Sequence, residues 1–209
     1  MMHPNTQVRF INGAIGCGVF ATRFIPKGTI VYVKDALELE VSADQYALLT
    51  PVLQEAVEKY SYIDERGYRI LSWDHAKYVN HCCNCNTMST GYGFEIAIRD
   101  IYPDEEITDE YGLFNLEAEM PLSCAQPNCR QKVGKYDLDT YFASWDEKVQ
   151  SALELVKALD QPLYPLIESD TRHALEQYLA HLAEYRSVRG LKFHEEASLA
   201  VTGSPNGVH

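Results

Sequence analysis

Four of the six cysteines have a spacing that suits one metal ion. Cys83 and Cys85 are two residues apart, so in an extended chain both thiols point to the same side. Cys124 and Cys129 are separated by a four-residue gap that fits a turn folding both sulfurs inward. Four thiolates can therefore surround one structural zinc ion, and the alternative is four buried or surface thiols without metal.

The other two cysteines, Cys17 and Cys82, are expected to serve packing. Disulfides are not expected, because Cys82, Cys83 and Cys85 lie too close in sequence to bridge one another. His81 beside Cys82 suggests a reactive thiol as another possibility, but neighbouring side chains in a strand point apart. A small zinc or thiol-redox protein therefore ranks last among the functions considered.

A second concentration of chemically useful residues lies between Lys77 and Tyr111. Asn80 and His81 offer polar groups for a binding site. The alternative interpretations are that Asn80 is a turn residue and that His81 is a core histidine whose hydrogen bonds are satisfied. Lys77 offers a donor for a carboxylate, but a solvated surface lysine is an equally good interpretation. A phenol stays neutral at working pH and brings a rigid apolar ring, so Tyr111 is suited to orient a reacting group.

These segments resemble motifs of the SET-domain protein lysine methyltransferases. That family carries an Asn-His-Ser-Cys-x-Pro-Asn segment, followed about twenty residues later by Arg-Asp-Ile, an acidic turn and Glu-Leu-Thr-x-Asp-Tyr-Gly. Here residues 80–86 read Asn-His-Cys-Cys-Asn-Cys-Asn, and residues 99–112 contain Arg-Asp-Ile and Glu-Ile-Thr-Asp-Glu-Tyr-Gly. Residues 16–30 look like the family's opening strands, and residues 124–130 look like its cysteine-bearing post-SET tail. The four segments match in the right order over roughly residues 8–132.

The sequence departs from the family's pattern at several positions. Cys82 replaces the usual serine, Cys85 replaces the usual proline, and Glu110 replaces the aspartate before the final tyrosine. Asp109 occupies a position that is often aromatic, which affects the shape of the lysine channel near it. Leu122 stands where the first cysteine of the family's tail is expected. Cys85 is therefore the simplest replacement for that missing zinc ligand. The resulting zinc set is Cys83, Cys85, Cys124 and Cys129.

The resemblance also implies roles for individual residues. Tyr111 is implied to be the catalytic residue, which orients the amine or the methyl group. A glycine pair such as Gly16 and Gly18 usually marks a tight turn or a bulge. The resemblance instead implies that the backbone of these two residues lies close to the cofactor. A pseudoknot is implied beside the cofactor at Asn80 and His81. The residues implied to bind S-adenosylmethionine are Gly16, Cys17, Gly18, Lys77, Asn80, His81 and Tyr111.

The reaction that the resemblance implies makes specific demands on the protein. Methyl transfer from a sulfonium to an amine is an in-line displacement without metal or covalent enzyme intermediate, so orientation and electrostatics supply the catalysis. The amine must be neutral, and deprotonating a lysine with a pKa near 10.4 costs about 4.6 kcal/mol at pH 7. A dry channel and the nearby sulfonium both lower that pKa.

The elements that must position these residues begin as short strands separated by glycine turns. Predicted strands cover residues 8–11, 16–21, 29–33, 68–73 and 93–101. Between Phe94 and Arg99 apolar and other residues alternate, which predicts one buried face. An insert of two helices is predicted over about residues 42–60, from the capping-box spacing of Ser42 and Gln45 and from Thr50 before a proline.

Helical patterns dominate after Tyr141. Ser144 and Glu147 have capping-box spacing, which predicts a helix beginning there. A second helix is predicted to begin near Asp170 and to stop at Gly190. The last third is therefore expected to be a helical hairpin with a loose tail from residue 202.

The fold class that the resemblance implies is α+β, a β-rich SET domain with a pseudoknot followed by a C-terminal helical hairpin. The expected divisions are a SET domain at residues 1–118, a post-SET-like zinc-binding tail at 119–135 and a helical extension at 136–209. Self-association through the C-terminal helices is a further expectation.

Composition constrains the partners and the compartment. The chain has 209 residues, 46% apolar and 23% charged, with a net charge of −12, which disfavours nucleic acid and anionic lipid as partners and favours a basic one. No stretch approaches the roughly 18 apolar residues of a membrane span, and the first five residues lack the order of a secretory signal. A soluble, intracellular protein is expected.

The favoured function is S-adenosylmethionine-dependent methylation of a lysine in a basic protein or peptide, with one structural zinc. The alternative from another class is a catalytically silent SET module that binds a protein partner. Cofactor binding without methyl transfer to any basic protein would favour that alternative.

Overall fold

The structure is a computed structural model that describes residues 1–122, 124 and 126–194. Its described strands are β1 (Thr6–Asn12), β2 (Gly16–Ala21), β3 (Ile30–Val33), β4 (Leu39–Val41), β5 (Ser61–Ile63), β6 (Arg69–Leu71), β7 (Asn80–His81), β8 (Thr87–Ser89), β9 (Phe94–Ala97), β10 (Glu106–Asp109), β11 (Met120–Pro121) and β12 (Lys132–Val133). The α-helices are α1 (Ala43–Ala47), α2 (Pro51–Tyr60), α3 (Asp137–Leu153) and α4 (Ser169–Leu179). Short 3₁₀ helices include His75–Tyr78, Tyr111–Leu113 and Val188–Leu191.

One sheet joins the opening strands to the two polar segments identified in the sequence. Its strand order is β1-β2-β10-β7. β10 pairs antiparallel with β2 and parallel with β7, with Thr108 opposite Asn80 and Asp109 opposite His81. Segments about 28 positions apart in the chain, from His81 to Asp109, therefore lie side by side.

A second sheet, ordered β3-β9-β8, separates two hydrophobic cores. Phe94 and Ile96 of β9 belong to the core that includes Trp145 and Val149 of α3, whereas Ala97 belongs to the other core. The prediction that only one face of this strand is buried is therefore wrong: all four residues of β9 are buried. Packing on both faces leaves no solvated side for the strand.

The helical insert between β4 and β5 confirms the sequence prediction. The Ser42 hydroxyl accepts a hydrogen bond from the backbone nitrogen of Gln45 at 3.2 Å, and the Gln45 side chain accepts one from Ser42 nitrogen at 2.8 Å. Helix α2 begins at Pro51, after Thr50. The strands around this insert form a separate sheet with the order β4-β6-β5.

The predicted start of the second C-terminal helix near Asp170 is confirmed, because α4 begins at Ser169, but the start predicted at Ser144 and the stop predicted at Gly190 are wrong. Helix α3 begins at Asp137, and Ser144 lies inside it with its hydroxyl donating to the Tyr141 carbonyl. The earlier start buries Leu138 as well as Trp145 against the core, and acidic residues in the first turn suit the helix dipole. Helix α4 ends at Leu179, so Gly190 is not its stop and lies in a 3₁₀ helix.

The described chain has the expected order of small strands followed by a helical region. Leu153 and Leu175 of the C-terminal helices are fully buried within the same core as β9, which uses their apolar faces inside the chain. Self-association through these helices stays a prediction. Among the described residues, no helix is both long and apolar enough to cross a bilayer. The tail from residue 202 lies outside the described residues.

Candidate active site

Asn80 connects the three strands at the centre of the site. Its Nδ2 donates to the carbonyl oxygen of Cys17 at 3.1 Å and to Oε1 of Glu106 at 2.8 Å. A Cβ on Gly18 would lie 2.6 Å from that same Glu106 oxygen and 3.1 Å from Asn80 Nδ2. Glycine at position 18 therefore allows the close approach of β2 to this hydrogen-bonded pair.

Gly16 lies at the edge of this arrangement, where β2 begins. Its φ of +85° is a left-handed conformation that favours glycine, and it pairs with Asn12 across the β1–β2 turn. Among the described residues other than its chain neighbours, no heavy atom lies within 4 Å of the Cβ that it lacks. The backbone turn thus explains Gly16, whereas close packing explains Gly18.

His81 contacts the backbone of the predicted catalytic residue. Its Nδ1 lies 3.1 Å from the Asp109 carbonyl oxygen and 3.2 Å from the Tyr111 nitrogen, and these two contacts require opposite tautomers. Its Nε2 lies 3.5 Å from Sγ of Cys83. Burial, with the charge of Arg130, lowers the pKa of His81 to about 4, so the ring is neutral near pH 7. If Cys83 is a thiolate, Nε2 donates to it and Nδ1 accepts from Tyr111.

Tyr111 lines a cavity of about 660 Å³. Its hydroxyl donates to the carbonyl oxygen of Val79 at 2.7 Å, and its ring packs 5.4 Å from that of Phe114. Burial raises the pKa of Tyr111, so the group is a neutral phenol near pH 7. Lys77 lines the same cavity. The predicted residues Tyr111 and Lys77 are thus brought to one cavity.

Two carboxylic acids, Glu95 and Asp109, also line this cavity. They are 9% and 1% exposed. Burial raises the pKa of Glu95 to about 7, and burial together with the neighbouring Glu95 raises that of Asp109. Asp109 is recognisable in the sequence as a departure from an aromatic position, whereas Glu95 is a site residue that no sequence motif marks. The signal available was an acid flanked by apolar residues in a strand.

Three of the four predicted zinc ligands come together. Sγ atoms of Cys83, Cys124 and Cys129 all lie within 4.8 Å of one another, and the Cys83–Cys129 separation is 4.0 Å. Cys85 is outside this group and is only 3% exposed. Residues 83 and 84 form a turn, so the extended geometry that placed Cys83 and Cys85 on one side does not exist. Cys82, expected only to pack, is also outside this group of three, but its Sγ lies 3.9 Å from that of Cys124.

Arg130 connects the cysteine-bearing tail to the strand that ends at Tyr111. Its Nη2 lies 2.5 Å from Oε1 of Glu110, and that oxygen also accepts from the Gly112 nitrogen at 3.0 Å. The Arg130 nitrogen lies 3.4 Å from Sγ of Cys83, and its guanidinium lies 5.7 Å from the Trp145 ring. Burial raises the pKa of Glu110, and Arg130 acts in the opposite direction. The pairing of Arg130 with Glu110 was not predicted from the sequence.

Comparisons with known proteins identify the fold. The family model for the SET domain matches residues 16–112. No curated protein matches the chain. A solved structure of a Plasmodium falciparum protein described as a candidate histone methyltransferase is 17% identical and covers 53% of this chain and 95% of its own, with a TM-score of 0.37.

A second solved structure, the methyltransferase domain of the human histone-lysine N-methyltransferase SETMAR, is 19% identical. It covers 63% of this chain, which spans 57% of that domain, and the TM-score is 0.40. The SET-domain assignment rests on the family match and on the motif residues that β2, β7 and β10 bring together. Residues 16–112 of the chain therefore form a SET domain.

Proposed function

We propose that the protein transfers methyl groups from S-adenosylmethionine to the side-chain amine of a lysine in a basic protein or peptide. The observation that carries this proposal is the neutral hydroxyl of Tyr111 in the wall of a cavity within a SET domain. The net charge of −12 suits a basic substrate. Acidic Glu117 and Glu119 also line the cavity, each paired with a cation, Arg69 and Lys132 respectively.

The cavity fits the proposed cofactor in size and charge. A volume of about 660 Å³ is within the range of cofactor sites, and the ammonium of Lys77 complements a carboxylate such as the one on S-adenosylmethionine. The other predicted cofactor residues do not line this cavity, and we propose that they contact the cofactor from strands β2 and β7: Gly16, Cys17, Gly18, Asn80 and His81. When bound, the cofactor supplies an electrophilic methyl group.

The protein's own contribution is to position the amine and exclude water. The Tyr111 hydroxyl is held by the Val79 carbonyl at 2.7 Å, so its oxygen lone pairs are left to face the incoming group. The raised pKa of Tyr111 keeps its phenol neutral across the pH range in which a lysine loses its proton. Orientation of a neutral amine is therefore the task of Tyr111.

We also propose one structural zinc ion held by Cys83, Cys124 and Cys129, with Cys82 as the fourth ligand in place of Cys85. Zinc–sulfur bonds of about 2.3 Å in a tetrahedron put sulfurs about 3.8 Å apart, close to the 4.0 Å and 3.9 Å of the two thiol pairs. The ion would fix residues 119–135 beside the cavity, because this segment has few apolar residues with which to dock.

The test is methyl transfer from labelled S-adenosylmethionine to a panel of basic proteins. Replacing Tyr111 with phenylalanine is expected to lower the rate about 10²- to 10³-fold while cofactor affinity stays within a few-fold. The matched control is Tyr102→Phe, at an exposed tyrosine outside the cavity. Cofactor binding by the parent without transfer to any basic protein would support a silent SET module instead.

A further inference from the structure

We infer that His81 is a positioning residue that links the proposed metal site to the backbone of Tyr111. Its ring carries a proton on Nε2, which it donates to the sulfur of Cys83, and its Nδ1 accepts from the Tyr111 nitrogen. The inference goes beyond methyl transfer. It rests on the proposed function in one respect, because it takes Cys83 as a zinc ligand.

The first observation is that the His81 ring lies between the two sites. Its Nε2 lies 3.5 Å from Sγ of Cys83, and its Nδ1 lies 3.2 Å from the Tyr111 nitrogen. The His81 side chain is 3% exposed, so water competes little for either ring nitrogen. Among the described residues, the Tyr111 nitrogen has no backbone acceptor. The His81 ring is therefore the group that satisfies this donor.

The second observation decides which ring nitrogen carries the proton. Nδ1 also lies 3.1 Å from the Asp109 carbonyl oxygen, a contact that requires the proton on Nδ1. That carbonyl already accepts from the Cys82 nitrogen at 3.3 Å. A sulfur that holds zinc is a thiolate, which accepts hydrogen bonds and donates none, so it selects the ring with its proton on Nε2. Nδ1 then keeps the lone pair that the Tyr111 nitrogen needs.

The charged groups near the ring agree with this assignment. Oε1 of Glu110 lies 3.8 Å from Nδ1, which is too far for a hydrogen bond. That oxygen already accepts from the Gly112 nitrogen and pairs with Arg130. The Arg130 backbone nitrogen donates to Sγ of Cys83 at 3.4 Å. Two N–H groups, one from Arg130 and one from His81, thus meet a single sulfur, an arrangement that suits a metal-bound thiolate.

Without metal, nothing holds the ring proton on Nε2. A free Cys83 thiol donates its own proton to Nε2, and the ring proton then belongs on Nδ1, where it faces the Asp109 carbonyl oxygen. The ring is neutral in both forms, because one nitrogen gains the proton that the other loses. With the proton on Nδ1, two N–H groups face one another and the Tyr111 nitrogen loses its acceptor. Metal binding is therefore coupled to the anchoring of Tyr111.

The experiment locates the ring proton by NMR of the whole protein, labelled with the NMR-active nitrogen isotope, at pH 7.5. Two-bond correlations within the His81 ring distinguish the nitrogen that carries a proton from the one that does not. We expect the proton on Nε2 in the zinc-loaded protein and on Nδ1 after treatment with a chelator. Exchange of the Tyr111 amide proton with solvent should accelerate about five- to tenfold on metal removal, which is the effect of losing one hydrogen bond.

Two amide variants separate the two halves of the link. His81→Asn keeps an acceptor near the Nδ1 position but does not reach Cys83, so the Tyr111 amide should exchange slowly with and without zinc. His81→Gln keeps a donor near the Nε2 position but lacks the Nδ1 acceptor, so the Tyr111 amide should exchange fast even with zinc. The control amide is Thr108 on the same strand, which donates to Oδ1 of Asn86 at 2.9 Å. Its exchange rate should change less than about twofold throughout, whereas general loosening of the strand would accelerate both amides.

A second measurement keeps a metal in place, because a chelator also loosens the tail that carries the other cysteines. In protein loaded with an NMR-active cadmium isotope, we expect a scalar coupling between the metal and the Nε2 proton of His81, since this hydrogen bond ends on a metal-bound sulfur. A metal-loaded ring with its proton on Nδ1, or equal exchange of the Tyr111 amide with and without zinc in the parent, would overturn the inference. A protein that takes up no metal would overturn the metal site and the inference together.

None of these measurements requires methyl transfer. A protein that shows the expected proton position but methylates nothing would overturn the proposed methyl transfer and support the link through His81. An active enzyme whose ring proton does not respond to the metal would overturn only the link.

Discussion

The ion pair between Arg130 and Glu110 offers a sharp test of how the tail is attached to the SET domain. Arg130 is 18% exposed and Glu110 is 2% exposed at the side chain, so the pair is largely removed from water. Replacing Arg130 with methionine keeps most of the apolar stem against Trp145 but leaves the Glu110 carboxylate without its cation. Removing one partner of a buried pair costs about 3–5 kcal/mol.

A double-mutant cycle separates the lost pairing from the lost packing. Glu110→Gln should cost less than Arg130→Met, because Arg130 keeps Asp137 at 3.5 Å and partial contact with water. The double variant should be more stable than the sum of the single losses predicts, by roughly 1–3 kcal/mol of coupling. Urea unfolding at fixed zinc content gives each free energy, provided that the denaturant slope is unchanged.

Arg9→Met is the matched control, because its partner Asp104 is 76% exposed. A surface pair of this kind is worth about 0–1 kcal/mol. At about 2–4 °C per kcal/mol for a chain of this size, Arg130→Met should lower Tm by roughly 6–20 °C and the control by a few degrees. Equal losses in the two variants, or strictly additive losses in the cycle, would refute the reasoning.

Three further predictions concern metal, cofactor and packing. Cys82→Ser should lower zinc content below the roughly one ion per chain of the parent, whereas Cys85→Ser should keep it, and elemental analysis showing the reverse would restore Cys85 as the ligand. Gly18→Ala should push the Glu106 carboxyl group away from the Asn80 amide and weaken S-adenosylmethionine binding, as measured by calorimetry. Gly13→Ala should leave binding unchanged, because among the described residues only its chain neighbours lie within 4 Å of the new Cβ. Asp146→Ala removes the acceptor of three hydrogen bonds of 2.6–2.8 Å. In urea titrations the free energy of unfolding should fall by roughly 2–4 kcal/mol, and a loss under 1 kcal/mol would contradict this expectation.

Local patterns were sufficient for much of the fold. The strands β1, β2 and β3 and the capped insert helices follow from turn residues, alternation and N-cap chemistry, all of which act over a few residues. The boundaries of the C-terminal helices could not be obtained in this way. A capping-box pattern at Ser144 competed with burial of Leu138 and Trp145, and the tertiary core decided the outcome.

In the candidate site, too, some features follow from the sequence and others only from the tertiary structure. By itself the sequence determined which residues could do chemistry, because the resemblance over residues 80–86 and 106–112 depends only on their order, and it singled out Tyr111. Only the tertiary structure decided that Glu95 shares a cavity with Asp109, that Arg130 pairs with Glu110, and that Cys82 approaches Cys124 while Cys85 does not. These relations join distant parts of the chain. Spacing in the sequence cannot specify them, because burial and pairing depend on which elements pack together.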